Sequence, residues 1–135
     1  DYVIHPKLNL LRKFNLIIFF SSNWKKSNGG ELCFYEDTKK NKKKPGKQIV
    51  KILPKFNRAV FFDTSLRSWH GVNKVKNNIR KSMAVYYLTD KPKKFERRFK
   101  ALYSPLENQL KDKKVLKFIK LRSDIKTASK VSKLK

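Results

Sequence analysis

Cys33 is the only cysteine in the chain, so no internal disulfide can form, and neither a Cys-rich zinc site nor a secreted disulfide scaffold is available. That fits a reducing compartment, and the expected location is cytoplasmic. Long apolar runs are missing as well. The longest, Leu16 to Phe20, is the size of a strand, far short of the roughly 18 residues a membrane helix needs, so no membrane partner is expected. Acidic residues are scarce, 10 Asp and Glu against 35 Lys and Arg, which leaves a net charge of +25. Such a surface repels itself and attracts polyanions at low salt. The sequence opens on Asp1 rather than Met and shows no signal-peptide pattern. Its first ten residues read like the middle of a domain, so the chain is expected to be an open-ended fragment whose upstream part is absent.

What is present is apolar and aromatic material, 39% and 13% of the 135 residues, enough for one folded domain and too much for a disordered chain. Arg12 to Phe20 (RKFNLIIFF) alternates branched and aromatic residues and reads as a strand buried on both faces. Gly29-Gly30 permits a reversal before Glu31 to Tyr35, which predicts a hairpin between the two segments. Glu36 to Lys47 is charge plus Pro45-Gly46, a solvated and mobile loop. Strands follow at Gln48 to Leu53, Arg58 to Phe62, Ser68 to Val72 and Arg80 to Thr89. Short strands at this spacing imply a sandwich or barrel. Asp112 to Leu121 carries apolar residues at helical spacing and predicts a helix lying on the sheet, with a fraying basic tail after it.

Four polar residues stand where a β core should be apolar: Asp1, His70, Arg80 and Ser82. His70 and Arg80 are ten positions apart on consecutive predicted strands, so a hairpin would set them across from one another. An imidazole can bind a divalent cation and a guanidinium can clamp a carboxylate with two parallel hydrogen bonds. Together they suit a small dicarboxylate reaching from metal to arginine. His5 is a poor ligand partner for Asp1, because the four-residue offset and Pro6 give the wrong geometry in an extended segment. Packing near a pocket mouth is its expected role. Trp24 and Trp69 read as core or rim packing, and alternation puts Trp69 and His70 on opposite faces. Cys33 reads as a small buried residue.

Several stretches together carry a family resemblance: Asp1-Tyr-Val-Ile-His-Pro, FNLIIFF, Gly29-Gly30-Glu-Leu, Ile52-Leu-Pro-Lys-Phe-Asn-Arg, Trp69-His70-Gly-Val, and Arg80-Lys-Ser82 with Tyr86-Tyr87. Over residues 1–105 the chain resembles the Fe(II)- and 2-oxoglutarate-dependent oxygenases, in their prolyl 4-hydroxylase-like branch. The resemblance implies an all-β double-stranded β-helix, or jelly roll, truncated at its amino end. Residues 106–135 would form a carboxyl-terminal helix and basic tail. It also implies Asp1 and His70 as iron ligands, Arg80 as the clamp on the far carboxylate of 2-oxoglutarate, and Ser82 as its helper. The family's His-x-Asp pair has a histidine two positions before the aspartate. The 135 residues do not include it, so this fragment alone is expected to be inactive.

The implied activity is hydroxylation of a C–H bond in a protein prolyl residue or a small molecule. Fe(II) is the metal, 2-oxoglutarate the cosubstrate yielding succinate and CO2, and ascorbate an accessory reductant. The rival reading is a non-enzymatic basic β domain that binds nucleic acid or another polyanion. Composition argues against it, since lysine outnumbers arginine 28 to 7, whereas specific phosphate readers favour arginine.

Overall fold

The structure, a computed structural model, describes residues 3–5, 7–38, 44–65, 67–92, 101 and 103–123. Six strands form two three-stranded antiparallel sheets: β1 (Leu11–Phe19), β2 (Leu32–Asp37), β3 (Pro45–Ile52), β4 (Arg58–Asp63), β5 (His70–Val72) and β6 (Ser82–Thr89). Their orders are β4-β1-β6 and β3-β2-β5, so the chain changes sheet between β1 and β2, β3 and β4, β4 and β5, and β5 and β6. Two facing sheets fed by such crossings are the architecture of a double-stranded β-helix. One helix, α1 (Lys113–Ser123), follows. Among the described residues no helix is long and apolar enough to cross a membrane.

β1 is the centre of its sheet, paired with β4 through Asn15↔Phe62 and with β6 through Asn15↔Tyr86. The period of two therefore puts Asn15, Ile17, Phe19, Phe62 and Tyr86 on one face. That face looks inward: Phe19 is 0% exposed, and Phe62 meets Phe34 of the opposite sheet edge-on at 5.0 Å. A register shift between Arg12 and Phe14 brings Arg12, opposite Leu88, onto the same inner row. The reverse face carries Phe14 stacked on Phe61 at 5.0 Å, with Tyr87 edge-on to Phe61, and Phe61 is exposed. β1 is thus fully buried on its inner side alone, where both sides were expected.

The predicted hairpin between the first two strands does not form. Gly29 and Gly30 do take positive φ, 64° and 71°, but the turn carries the chain from one sheet to the other. Glycine is required at 29, because a Cβ there would stand 2.2 Å from the Lys74 carbonyl oxygen. Pro45-Gly46, expected in a loop, opens β3. This strand lies at the edge of its sheet, where a missing N–H is tolerated. The middle of the predicted mobile loop, residues 39–43, and the tail after 123 lie outside the described residues.

α1 forms where the spacing predicts it. Asp112 Oδ1 caps it by accepting from the Lys114 and Val115 N–H groups at 2.9 and 3.1 Å. Val115 and Ile119 are half-buried on it. Arg122 donates to the Tyr103 hydroxyl at 2.9 Å, and Leu116, Phe118 and Leu121 stay exposed.

The segment after β5 is clipped to the start of β2. Asn73 N–H donates to the Glu31 carbonyl at 3.0 Å, and the Asn73 amide donates to the Glu31 carboxylate at 3.1 Å. A backbone N–H, Asn73 and the nearby Lys51 and Lys26 hold the Glu31 carboxyl below its ordinary range. A depressed folded pKa gives stability that is present above the ordinary carboxyl value and lost as pH falls through the folded value. Glu31→Gln is therefore expected to flatten the acid limb of the stability–pH curve. Denaturant melts over an acid pH series check this, and an unchanged slope would refute the clip.

Candidate active site

Between the sheets lies a cavity of about 370 Å³, lined among others by Arg12, Asn15, Tyr35, Trp69, His70 and Tyr86. His70 enters it because β5 pairs with β2 in the register Phe34↔His70, which turns the imidazole toward the inner aromatic layer. The Phe62 ring meets it edge-on at 4.8 Å. His70 Nδ1 is 2.7 Å from the Ser68 carbonyl oxygen. A carbonyl only accepts, so Nδ1 carries a proton, and in the neutral imidazole the lone pair is then on Nε2. This is the arrangement a metal-bound histidine uses, with one nitrogen donating to backbone and the other left to coordinate. Trp69 lines the cavity too. The regular pleat begins only at His70, so the opposite-face rule drawn from alternation does not govern the pair.

Arg80 precedes β6 at the other end of the inner face. Its guanidinium lies over the Phe19 ring, 4.9 Å from the centroid, and Nη1 donates to Ser82 Oγ at 3.0 Å. Gly30 makes room for it: a Cβ there would come within 3.3 Å of Arg80 Cδ. Arg80 Nε is buried without a partner, and burial pushes the guanidinium below its ordinary pKa. A partly buried cation with an unmet donor can take an anion.

The structure thus joins Arg80 to Ser82 and sets His70 in the cavity. Arg80 does not line that cavity. The two residues are not hairpin partners, because β5 bonds to β2 and β6 to β1. The linker between them is pinned along the turn before β2 instead, with Lys76 N–H on the Asn28 carbonyl at 2.8 Å. Asp1 lies outside the described residues. Among the described residues no three His, Cys, Asp or Glu side chains cluster, so the fit to iron rests on His70. Its tautomer suits a ligand.

Residues 1–89 match the 2OG-Fe(II) oxygenase superfamily. The chain belongs to that superfamily. It is also 31% identical over 74 residues to prolyl 3-hydroxylase OGFOD1 of Xenopus laevis, an alignment covering 55% of this chain and 14% of that protein. Members of the oxygenase superfamily typically use Fe(II) and 2-oxoglutarate, and both His70 and Arg80 fall inside the matched span.

Sequence reasoning misses two residues of the oxygenase cavity. Asn15 is 5% exposed with Oδ1 unpartnered, and Arg12 holds its guanidinium 4.2 Å over the Tyr86 ring with Nε buried and unpartnered. The signal is available in parity: Asn15 shares the row of Ile17 and Phe19. His5, expected to pack near a pocket mouth, closes a turn. Its Nδ1 accepts from the Leu8 N–H at 3.1 Å and its carbonyl accepts from the Asn9 N–H. Cys33 is fully buried, and desolvation raises its thiol pKa, as a packing residue requires.

Proposed function

We propose that the protein carrying this chain is an Fe(II)- and 2-oxoglutarate-dependent hydroxylase acting on a prolyl residue of a protein substrate. The observation that carries the reading is His70: a cavity-lining imidazole whose Nδ1–H is committed to the Ser68 carbonyl, leaving Nε2 for a metal. His70 and Asp1 are the ligands within these residues. Arg80, steadied by Ser82 and Phe19, offers its guanidinium to the far carboxylate of the cosubstrate. With Fe(II) and 2-oxoglutarate bound, dioxygen would be the oxidant: one of its oxygen atoms would enter succinate as 2-oxoglutarate loses CO2, and the other would become the hydroxyl on the substrate carbon. The rings of Phe34 and Phe62 flank the His70 imidazole at 6.1 and 4.8 Å, while the residue stays open to solvent. The prolyl substrate is supported by the name of the aligned relative.

The test is succinate formation by the whole protein with Fe(II), ascorbate and 2-oxoglutarate. Turnover that depends on iron, and rises with a proline-containing peptide, is expected. A silent protein that binds oligonucleotides with a steep salt dependence would overturn the reading in favour of a polyanion-binding domain.

A further inference from the structure

The two ends of the sandwich differ in charge. At one end the β1–β6 ladder closes at Phe19↔Ser82, β2 begins at Leu32, and Arg80 packs against Gly30. At the other end the ladders stop at Leu11↔Thr89, Phe14↔Asp63 and Asp37↔Pro45. Carboxylates gather at this second end: Glu36 and Asp37 close β2, Asp63 closes β4, and Asp90 follows β6. Two of them are already paired, Asp63 with Lys13 and Asp37 with Arg67, each at 3.0 Å.

The arginine end is the reverse. There the pairing of β5 with β2 runs on in register past Val72: Gly29 bridges Val75, the Gly30 N–H donates to the Lys74 carbonyl at 3.3 Å, and the Lys76 N–H donates to the Asn28 carbonyl at 2.8 Å. Exposure alternates along this extension, with Val72, Lys74 and Lys76 exposed and Asn73 and Val75 half-buried. Lys25 and Lys26 stand exposed on the facing turn, and exposed Lys81 follows Arg80. Among the described residues Glu31 is the one carboxylate of this end, and Lys26 and Lys51 help to hold its pKa down.

From this polarity we infer that Lys25, Lys26, Lys74, Lys76 and Lys81 form a basic rim that draws a dicarboxylate from solution toward Arg80, setting how fast the cosubstrate arrives rather than how tightly it is held. The inference deepens the hydroxylase reading and rests on Arg80 as the clamp. Charges of one sign grouped around a site focus its field and raise association rates by about 10–10³-fold, an effect that fades with salt. The net charge of +25 would pull an anion toward no particular place if it were spread evenly. With the acids at the far end, the pull is directed to the guanidinium.

The test is stopped-flow binding to the whole protein, loaded anaerobically with Fe(II) and followed by the visible band of an iron-bound 2-oxo acid. At about 0.1 M salt the Debye length is about 10 Å, and at about 1 M it is about 3 Å. At the lower salt, Lys25→Gln, Lys26→Gln, Lys74→Gln and Lys76→Gln together should slow 2-oxoglutarate association about tenfold and leave dissociation within about twofold. At the higher salt the variant and the wild type should converge, which a misfolded variant would not do. Salt should slow 2-oxoglutarate more steeply than 2-oxopentanoate, which lacks the distal carboxylate. Substituting Lys7, Lys44, Lys47 and Lys91 by glutamine changes the overall charge equally at the far end, eight strand residues or about 25 Å away, and should leave the association rate within about twofold.

Equal slowing by both fourfold variants would show the overall charge acting and overturn the rim. Faster dissociation at an unchanged association rate would make the lysines direct ligands instead. Unchanged association with lost binding of oligothymidylate would hand the surface to nucleic acid. A band that forms at a rate insensitive to salt removes the rim alone, whereas no band with either acid removes the hydroxylase reading and the rim with it.

Discussion

His70→Ala is expected to abolish iron-dependent succinate formation by the whole protein, a loss of more than about a hundredfold. The magnitude follows from position. Substituting even the outer hydrogen-bond partner of a metal-bound histidine costs roughly 10–100-fold in affinity or activity, and His70 is proposed as the ligand itself. The same reasoning fixes a smaller effect for Ser68, whose backbone carbonyl orients the ring at 2.7 Å; its side chain does not hold the imidazole, so Ser68→Ala should leave turnover near wild type. A His70→Ala protein that folds and still makes succinate at more than a tenth of the wild-type rate would remove His70 from the metal site.

Arg80→Met is expected to act in opposite directions on binding and on folding. The guanidinium lies over Phe19 with Nε unpartnered and its charge disfavoured by partial burial. Replacing a partly buried, incompletely paired cation by an apolar side chain of similar volume removes its desolvation cost. The melting temperature should hold or rise. Cosubstrate affinity should fall by about two orders of magnitude, the scale for losing a desolvated bidentate charge pair. Iron affinity, measured anaerobically without cosubstrate, should stay within a few-fold. Equal losses for iron and 2-oxoglutarate would refute the clamp role, and a marked drop in melting temperature would show the arginine to be structural.

Most strands are legible because alternation of branched and aromatic residues is a local property. The spans near residues 12–20, 58–62 and 80–89 fall within a residue or two of β1, β4 and β6. Pairing is not legible. Neighbouring segments with a glycine turn between them suggest a hairpin, and only the facing of two sheets forces β1 to choose β4 and β6 over β2. Local patterns hold no information on which apolar row meets which. His70 is legible as part of Trp69-His70-Gly71-Val72 followed ten residues on by Arg80. Asn15 is not, because an asparagine inside RKFNLIIFF reads as an interruption of the apolar run until the register shows its row to be the buried one. For α1 the helical spacing is readable, but the surface it meets is not, since Val115 and Ile119 fit any apolar neighbour and the helix ties to Tyr103 through Arg122.

Because the chain alternates between sheets, the imidazole travels with β5 in one layer while the guanidinium precedes β6 in the other. Under the proposed assignment, a cosubstrate held at both ends is a cross-brace: it joins layers that otherwise meet through side chains such as Phe34 against Phe62. Occupancy then resists delamination as well as enabling chemistry, and a molecule with loosened layers would regain rigidity from its own fuel by simple mass action.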